Sequence, residues 1–181
     1  MRRRVFINPL IGDKATLIKS AEETNGAYSL LEIELVPGGG NLVHAHDLFS
    51  ESFRVLEGEL SLTVDKTEST LHSGDAYTVQ PHRFHCFKNK TDRPVKFAVT
   101  LTPGHTGFEK SLAIAYGLAE DGEMNKEGIP NKFSHLSILA AMGGTQLPGL
   151  LRLMMPVFRL VAWLNKNAAL TLEQKYCYTS G

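Results

Sequence analysis

Cysteine is scarce in this chain: its 181 residues include two, Cys86 and Cys177, far apart. A disulfide scaffold would need more of them in a smaller chain, so both thiols are expected to be free. No CxxC is present, which excludes a thiolate zinc site of the usual spacing. An excess of either charge is missing too. Lys plus Arg and Asp plus Glu number 19 each, whereas a nucleic-acid-binding domain is normally basic. The single dense basic run, Arg2 to Arg4, is followed by VFINPLIGDK and not by the apolar h-region of a signal peptide. The chain also lacks an uninterrupted apolar run. Its best candidate, LPGLLRLMMPVFRLVAWL at 147–164, contains Arg152, Arg159, Pro148 and Pro156, and a spanning helix wants about 20 mostly apolar residues without such charges. These absences predict a cytoplasmic protein with no membrane span and no nucleic-acid partner. There is no internal repeat and no low-complexity linker, and the length suits one good-sized domain.

What is present divides in two. From about residue 4 to 102 apolar residues alternate with polar ones: Leu31, Ile33 and Leu35; Leu60, Leu62 and Val64; Phe97, Val99 and Leu101. Period-two alternation predicts half-buried strands. The breaks are turn-rich, at PGGG 37–40, EG 57–58, SGD 73–75 and TDRP 91–94. Many short strands at this spacing predict a sandwich or barrel. After about residue 105 the period changes. Phe108, Leu112, Ala115 and Ala119 recur at helical spacing, as do Leu136, Leu139 and Ala140 before a Gly143-Gly144 stop. Pro148 suits a helix start, and Pro156 should kink or break the third apolar stretch. That stretch is expected to be a buried or dimer-facing helix.

Residues 44–58 read HAHDLFSESFRVLEG. Side chains two apart on a strand share a face, so His44 and His46 project together. A turn through Asp47 and Ser50 can return Glu51 beside them. Imidazoles and a carboxylate are common ligands of zinc, manganese, iron and nickel. A His-x-His pair alone is a weak signal. A second strand-like stretch, GDAYTVQPHRFHCFKN, supplies His82 and His85 as further imidazoles.

The wider pattern resembles the cupins. Gly38, His44, His46, Glu51 and Gly58 occupy every position of that family's first motif, and Gly74, His85 and Asn89 match the second. Two departures concern one turn: Pro81 comes a place late, and His82 stands where a second glycine is expected. The resemblance covers about residues 25–103. It implies a mainly β fold, a cupin-type double-stranded β-helix (jelly-roll) barrel of two facing antiparallel sheets. Residues 1–24 would be a strand segment belonging to the barrel or to a dimer, and 104–181 a helical C-terminal extension. It further implies that His44, His46, Glu51 and His85 hold one divalent transition metal (Fe, Mn, Ni or Zn) inside the barrel. Glycines 38, 58 and 74 then read as turn positions, and Asn89 as structural. In a continuous strand His82 faces away from His85 and is left out. His72, His105 and His135 belong to no pattern.

Three imidazoles and one carboxylate leave open positions on a six-coordinate ion, the requirement for metal catalysis. By strand parity Phe53 and Val55 follow Glu51, and Phe87 follows His85, which suggests an apolar pocket. The resemblance points to a metal-dependent dioxygenase-like enzyme on a small enol or phenolic substrate, with Glu51 also as catalytic base. A non-catalytic small-ligand or metal-binding protein, or a cupin isomerase or decarboxylase, is the alternative. Paired barrels in the family imply a homodimer. The apolar tail would be an aggregation liability if left exposed. Its scattered Arg152, Arg159 and Lys166 do not make a polybasic membrane face. The helices are therefore expected to pack on the outer barrel surface, some near the open end as a lid.

Overall fold

The structure is a computed structural model describing residues 2–178. Ten strands come first: β1 Val5–Asn8, β2 Asp13–Lys19, β3 Ser29–Leu35, β4 Ala45–His46, β5 Ser50–Glu57, β6 Glu59–Val64, β7 Thr67–His72, β8 Ala76–Val79, β9 His85–Lys88 and β10 Val95–Thr102. The helical part follows, with α1 Thr106–Glu120, α2 Phe133–Gly143, a short strand β11 Thr145–Gln146, a 3-10 turn Gly149–Met154, α3 Met155–Leu164 and α4 Lys166–Tyr176. The larger sheet runs β1-β2-β3-β10-β5-β8, and the smaller runs β7-β6-β9; the strand pairs are antiparallel.

The alternating apolar residues do what period two dictates. Leu31, Val99 and Phe53 sit side by side across β3, β10 and β5 and are buried. Leu60, Leu62 and Phe87 of the smaller sheet meet them, with Phe87 and Phe97 ring centroids 5.2 Å apart. On the opposite face Lys96 pairs with Glu32 and Lys14 with Glu34, both at 2.9 Å. The turn glycines all have positive φ: 77° at Gly38, 82° at Gly58 and 95° at Gly74. Gly58 shows why. It links β5 to β6, and a Cβ there would lie 3.1 Å from the Pro94 carbonyl oxygen as well as in a region that side chains disfavour.

Residues 5–19 form an antiparallel hairpin, β1 and β2, that widens the larger sheet beyond the reach of the three-stranded sheet. Its inner face, Phe6, Ala15 and Leu17, is covered instead by α1. The Tyr116 and Phe6 rings meet edge to face at 6.5 Å. This corrects the expectation of helices on the outer barrel surface. Phe6, Ala15 and Ile33 lie in one row on the inner face, so α1 continues the second layer. Apolar sheet surface left bare by the smaller sheet is what draws it there.

Two other helical expectations meet the structure differently. Gly144 takes the left-handed conformation that ends α2, as the Gly-Gly stop requires. Pro156 falls in the first turn of α3, directly after the 3-10 turn, so the third apolar stretch breaks there. That stretch is not buried in this chain: Leu150 is 81% and Trp163 68% exposed, and Met155 and Phe158 are its buried side chains. They pack on Ala140 and Leu136 of α2, so a single face of the segment is covered. Among the described residues no helix is long and apolar enough to cross a membrane.

Candidate metal centre

His44 and His85 lie directly opposite each other. The His44 N–H donates to the His85 carbonyl oxygen at 3.0 Å, and the His85 N–H donates back at 2.7 Å. Glu51 is placed by β5, in the row shared with Leu101 and Val79. The strand β4 brings in His46. The result is four side chains whose ligand atoms all lie within 4.8 Å of one another, a cluster that could hold a metal ion. His85 Nε2 is 2.8 Å and His46 Nε2 3.6 Å from Glu51 Oε2. The imidazole centroids of His44 and His46 are 4.8 Å apart, and those of His44 and His85 4.4 Å.

The donor chemistry fits a cation. His44 Nδ1 lies 2.8 Å from the Leu42 carbonyl oxygen, and His85 Nδ1 3.1 Å from that of Arg83. A carbonyl accepts, so each Nδ1 carries the proton and each Nε2 faces the cluster, the arrangement that orients metal-binding histidines. Both ring nitrogens of His46 are buried without a hydrogen-bond partner. A buried polar atom left unpaired costs free energy, and a cation at the centre would satisfy one of them.

Electrostatics favour the same occupant. Burial, reinforced by the neighbouring histidine charges, lowers the pKa of His46 to about 3 and of His44 to about 4, so both are neutral and their lone pairs free. Burial alone would raise Glu51, but the hydrogen bond from His85 and the adjacent imidazoles outweigh it and hold the carboxyl near 2. Burial works against charge on His85, but the Glu51 hydrogen bond prevails and raises its pKa.

The cluster opens into a cavity of about 550 Å³. Leu31, Ile33 and Val99 of the larger sheet form one wall, and Phe108, Leu112, Leu136 and Leu139 of α1 and α2 form another. Among the described residues no Lys or Arg lines it. Phe87 reaches the cavity as expected from parity, whereas Phe53 and Val55 lie in the core between the sheets. The tail also touches the centre itself. β11 pairs with β4, setting Thr145 opposite His46, and Phe108 meets the His46 ring edge to face at 5.3 Å. On its other side His46 stacks on Phe49 at 4.5 Å.

The remaining sequence expectations fall out as follows. His82 is exposed and lies outside the cluster, but for a different reason from strand parity. It sits in the turn before β9 with φ of 66°, taking up the conformation expected of a glycine. Asn89 is fully buried. Its Nδ2 donates to the carbonyls of Leu35 and Arg93, and its Oδ1 accepts from the Thr91 N–H and hydroxyl. His105 caps α1, its Nδ1 accepting from the Phe108 N–H at 2.9 Å. Asp13, at the first position of β2, and Tyr116, inside α1, are wall residues that escaped sequence reasoning altogether. No spacing links residues so far apart.

Comparison with known proteins agrees with this architecture. Residues 31–102 match the family described as Cupin domain, and the barrel has the cupin-type fold. Among solved structures, a predicted oxalate decarboxylase from Thermotoga maritima is similar at 17% identity and TM-score 0.51, over 57% of this chain and 98% of that one. An RmlC-like cupin from Shewanella frigidimarina NCIMB 400 is 25% identical, with TM-score 0.49 over 57% and 86% of the two chains. KdgF from Halomonas sp. is 14% identical, with TM-score 0.48 over 52% and 82%. No curated protein matches the sequence significantly.

Proposed function

We propose that His44, His46, Glu51 and His85 ligate one divalent transition metal, and that the protein is a dioxygenase-like enzyme acting on a mainly apolar enol or phenolic compound. The observation that carries the reading is a four-donor cluster opening into a mainly apolar cavity that no Lys or Arg among the described residues lines. When bound, the ion supplies Lewis acidity and, if redox-active, electrons for dioxygen. The chain's own residues do the rest. Phe108, Leu112 and Leu139 exclude water and seat an apolar ring or chain. A bound ion would be held by His44, His46, His85 and the Glu51 carboxylate. Glu51, if it loosened from the ion, would be placed to act as general base on an enol or phenol hydroxyl.

The apolar wall also weighs between chemistries. A small dianionic acid would leave any charge not held by the ion with no cationic side chain to meet it, which is costly. A decarboxylase of such acids is therefore disfavoured. The alternative with the same geometry is a non-catalytic binder of the same ligands. Elemental analysis of untagged protein should give about one metal per chain, and His46→Ala should give none. Full metal in that variant would end the assignment. Oxygen uptake with aromatic enols separates enzyme from binder: tight binding without turnover in every metal form identifies the binder.

We also propose a twofold homodimer. It is supported by the free edge of β1, where Val5 and Ile7 are exposed, and by the bare apolar face of Leu153, Leu160 and Trp163.

A further inference from the structure

The cavity wall carries a second polar feature. Asp13 is 4% exposed, and the Tyr116 hydroxyl donates to its Oδ2. Its other oxygen, Oδ1, is buried with no partner. Two other polar groups on the wall are engaged. Asn41 Oδ1 accepts from the Phe87 N–H at 2.8 Å, and the Ser111 hydroxyl donates to the Phe108 carbonyl at 2.9 Å. Among the described residues, the fully buried side-chain atoms of the lining without a partner are those of His46, which the proposed metal explains, and Oδ1 of Asp13.

Register shows where Asp13 stands relative to the His/Glu cluster. Glu51 shares a row with Leu101 and Ser29, while Asp13 shares one with Leu35 and Val95. Along β3, residue 35 is six beyond residue 29, about 20 Å of strand. The same cavity reaches both rows.

We propose that Asp13, braced by Tyr116, is a recognition site for a single hydrogen-bond donor, a hydroxyl or an N–H, on an otherwise apolar ligand whose other end approaches the His/Glu cluster. An orphaned buried acceptor penalises the empty cavity and is relieved by a ligand that brings a donor. One free oxygen suits one donor. A primary ammonium, with three protons to satisfy, is poorly served by apolar walls. Tyr116 holds Oδ2 and so fixes the carboxyl orientation, which leaves Oδ1 as the free oxygen of a residue in the cavity wall. Burial raises the Asp13 carboxyl to about 6, against the hydrogen bond from Tyr116, so at pH 7.5 the carboxylate acceptor predominates.

The span to the cluster rests on the proposed metal centre, but the Asp13 site can be tested in metal-free protein, so that the two readings fail separately. The probes are 4-butylphenol and 4-butylanisole, which share an apolar body and differ in the donor. Calorimetry on metal-free protein at pH 7.5 should show the phenol binding about tenfold more tightly. Asp13→Asn, which turns an amide N–H toward the cavity while its oxygen accepts from Tyr116, should abolish that preference. Tyr116→Phe, which removes the brace but leaves the acceptor, should reduce it without abolishing it. A crystal structure of the phenol complex should place the hydroxyl on Asp13, and this arm holds even if Asp13→Asn fails to fold. Equal affinities, binding of neither probe up to its solubility limit, a preference surviving in Asp13→Asn, a preference unchanged in Tyr116→Phe, or a phenol hydroxyl seated on the His/Glu cluster would each overturn the proposal.

Discussion

Asp13 carries a pH dependence that can be worked out from its surroundings. Its carboxyl moves from an ordinary 3.8 to about 6 on folding, with burial as the chief cause. A raised pKa means that the folded state binds the proton more tightly than the unfolded chain does. The protonated form therefore favours folding, and stability is lost as pH rises from about 4 to about 6. The change is worth up to about 3 kcal/mol. Asp13→Asn has no such titration. Urea unfolding at a series of pH values should show the variant gaining about 3 kcal/mol relative to the native chain across that window, with a constant difference above it. Parallel profiles would mean that Asp13 is not held away from water. Nothing in the sequence marks this residue, because a lone acid at a strand start looks like any solvent-facing turn residue. The four cluster residues were legible for the opposite reason: they are close in sequence or embedded in a spaced motif.

At the scale of elements, helix periodicity located α1 and α2 but not their partners. Gly117 is buried within α1, and a Cβ there would fall on the Tyr176 ring of α4. Two effects oppose each other in Gly117→Ala. Alanine favours the helix by about 1 kcal/mol, whereas forcing an extra carbon into a packed contact costs about 1–3 kcal/mol. The collision should win, with a net loss of about 1 kcal/mol in denaturant unfolding. Repeating the change in a Tyr176→Leu background should reverse the sign, because the obstructing ring is then gone. A stabilising Gly117→Ala in the native background would show that α1 and α4 are not packed this closely. The first turn of α1 is held by another buried group. Glu109 accepts from the Ala21 N–H at 2.7 Å and the Ser29 hydroxyl at 2.5 Å, and it pairs with Arg2. Removing it by Glu109→Ala strands these donors and should cost about 3 kcal/mol by the same assay. A loss within the range of an ordinary surface change would contradict the network.

For the whole molecule, the decisive feature is that the tail is built into the site. α2 lines the cavity, β11 extends the strand that carries His46, and Arg159 lies 3.6 Å from Asp47 beside it. Deleting residues 130–181 should therefore do more than bare apolar surface. Dye binding or precipitation is expected, together with weaker metal binding in whatever remains folded. A soluble, monodisperse truncation with unchanged thermal stability would show the tail to be an independent appendage. Light scattering at micromolar concentration tests the proposed homodimer, for which twice the chain mass is expected and a monomer mass is the contrary result.

What the sequence by itself determined is the set of properties that nearest neighbours decide. Strand parity aims His44 and His46 at one side, positive φ calls for glycine at 38, 58 and 74, and a 3.6-residue repeat makes α1 and α2 helical. These follow from backbone geometry over a few residues, so they can be read without knowing the fold. Tertiary structure alone decided that α1 roofs the inner face of the widened sheet. It also decided that β11 joins the His46 strand, and that Asp13 meets Tyr116 across 103 residues of sequence. An apolar stripe states that something must cover it but not what. The choice falls to the surface that the finished barrel leaves bare, and that surface exists only once both sheets have formed.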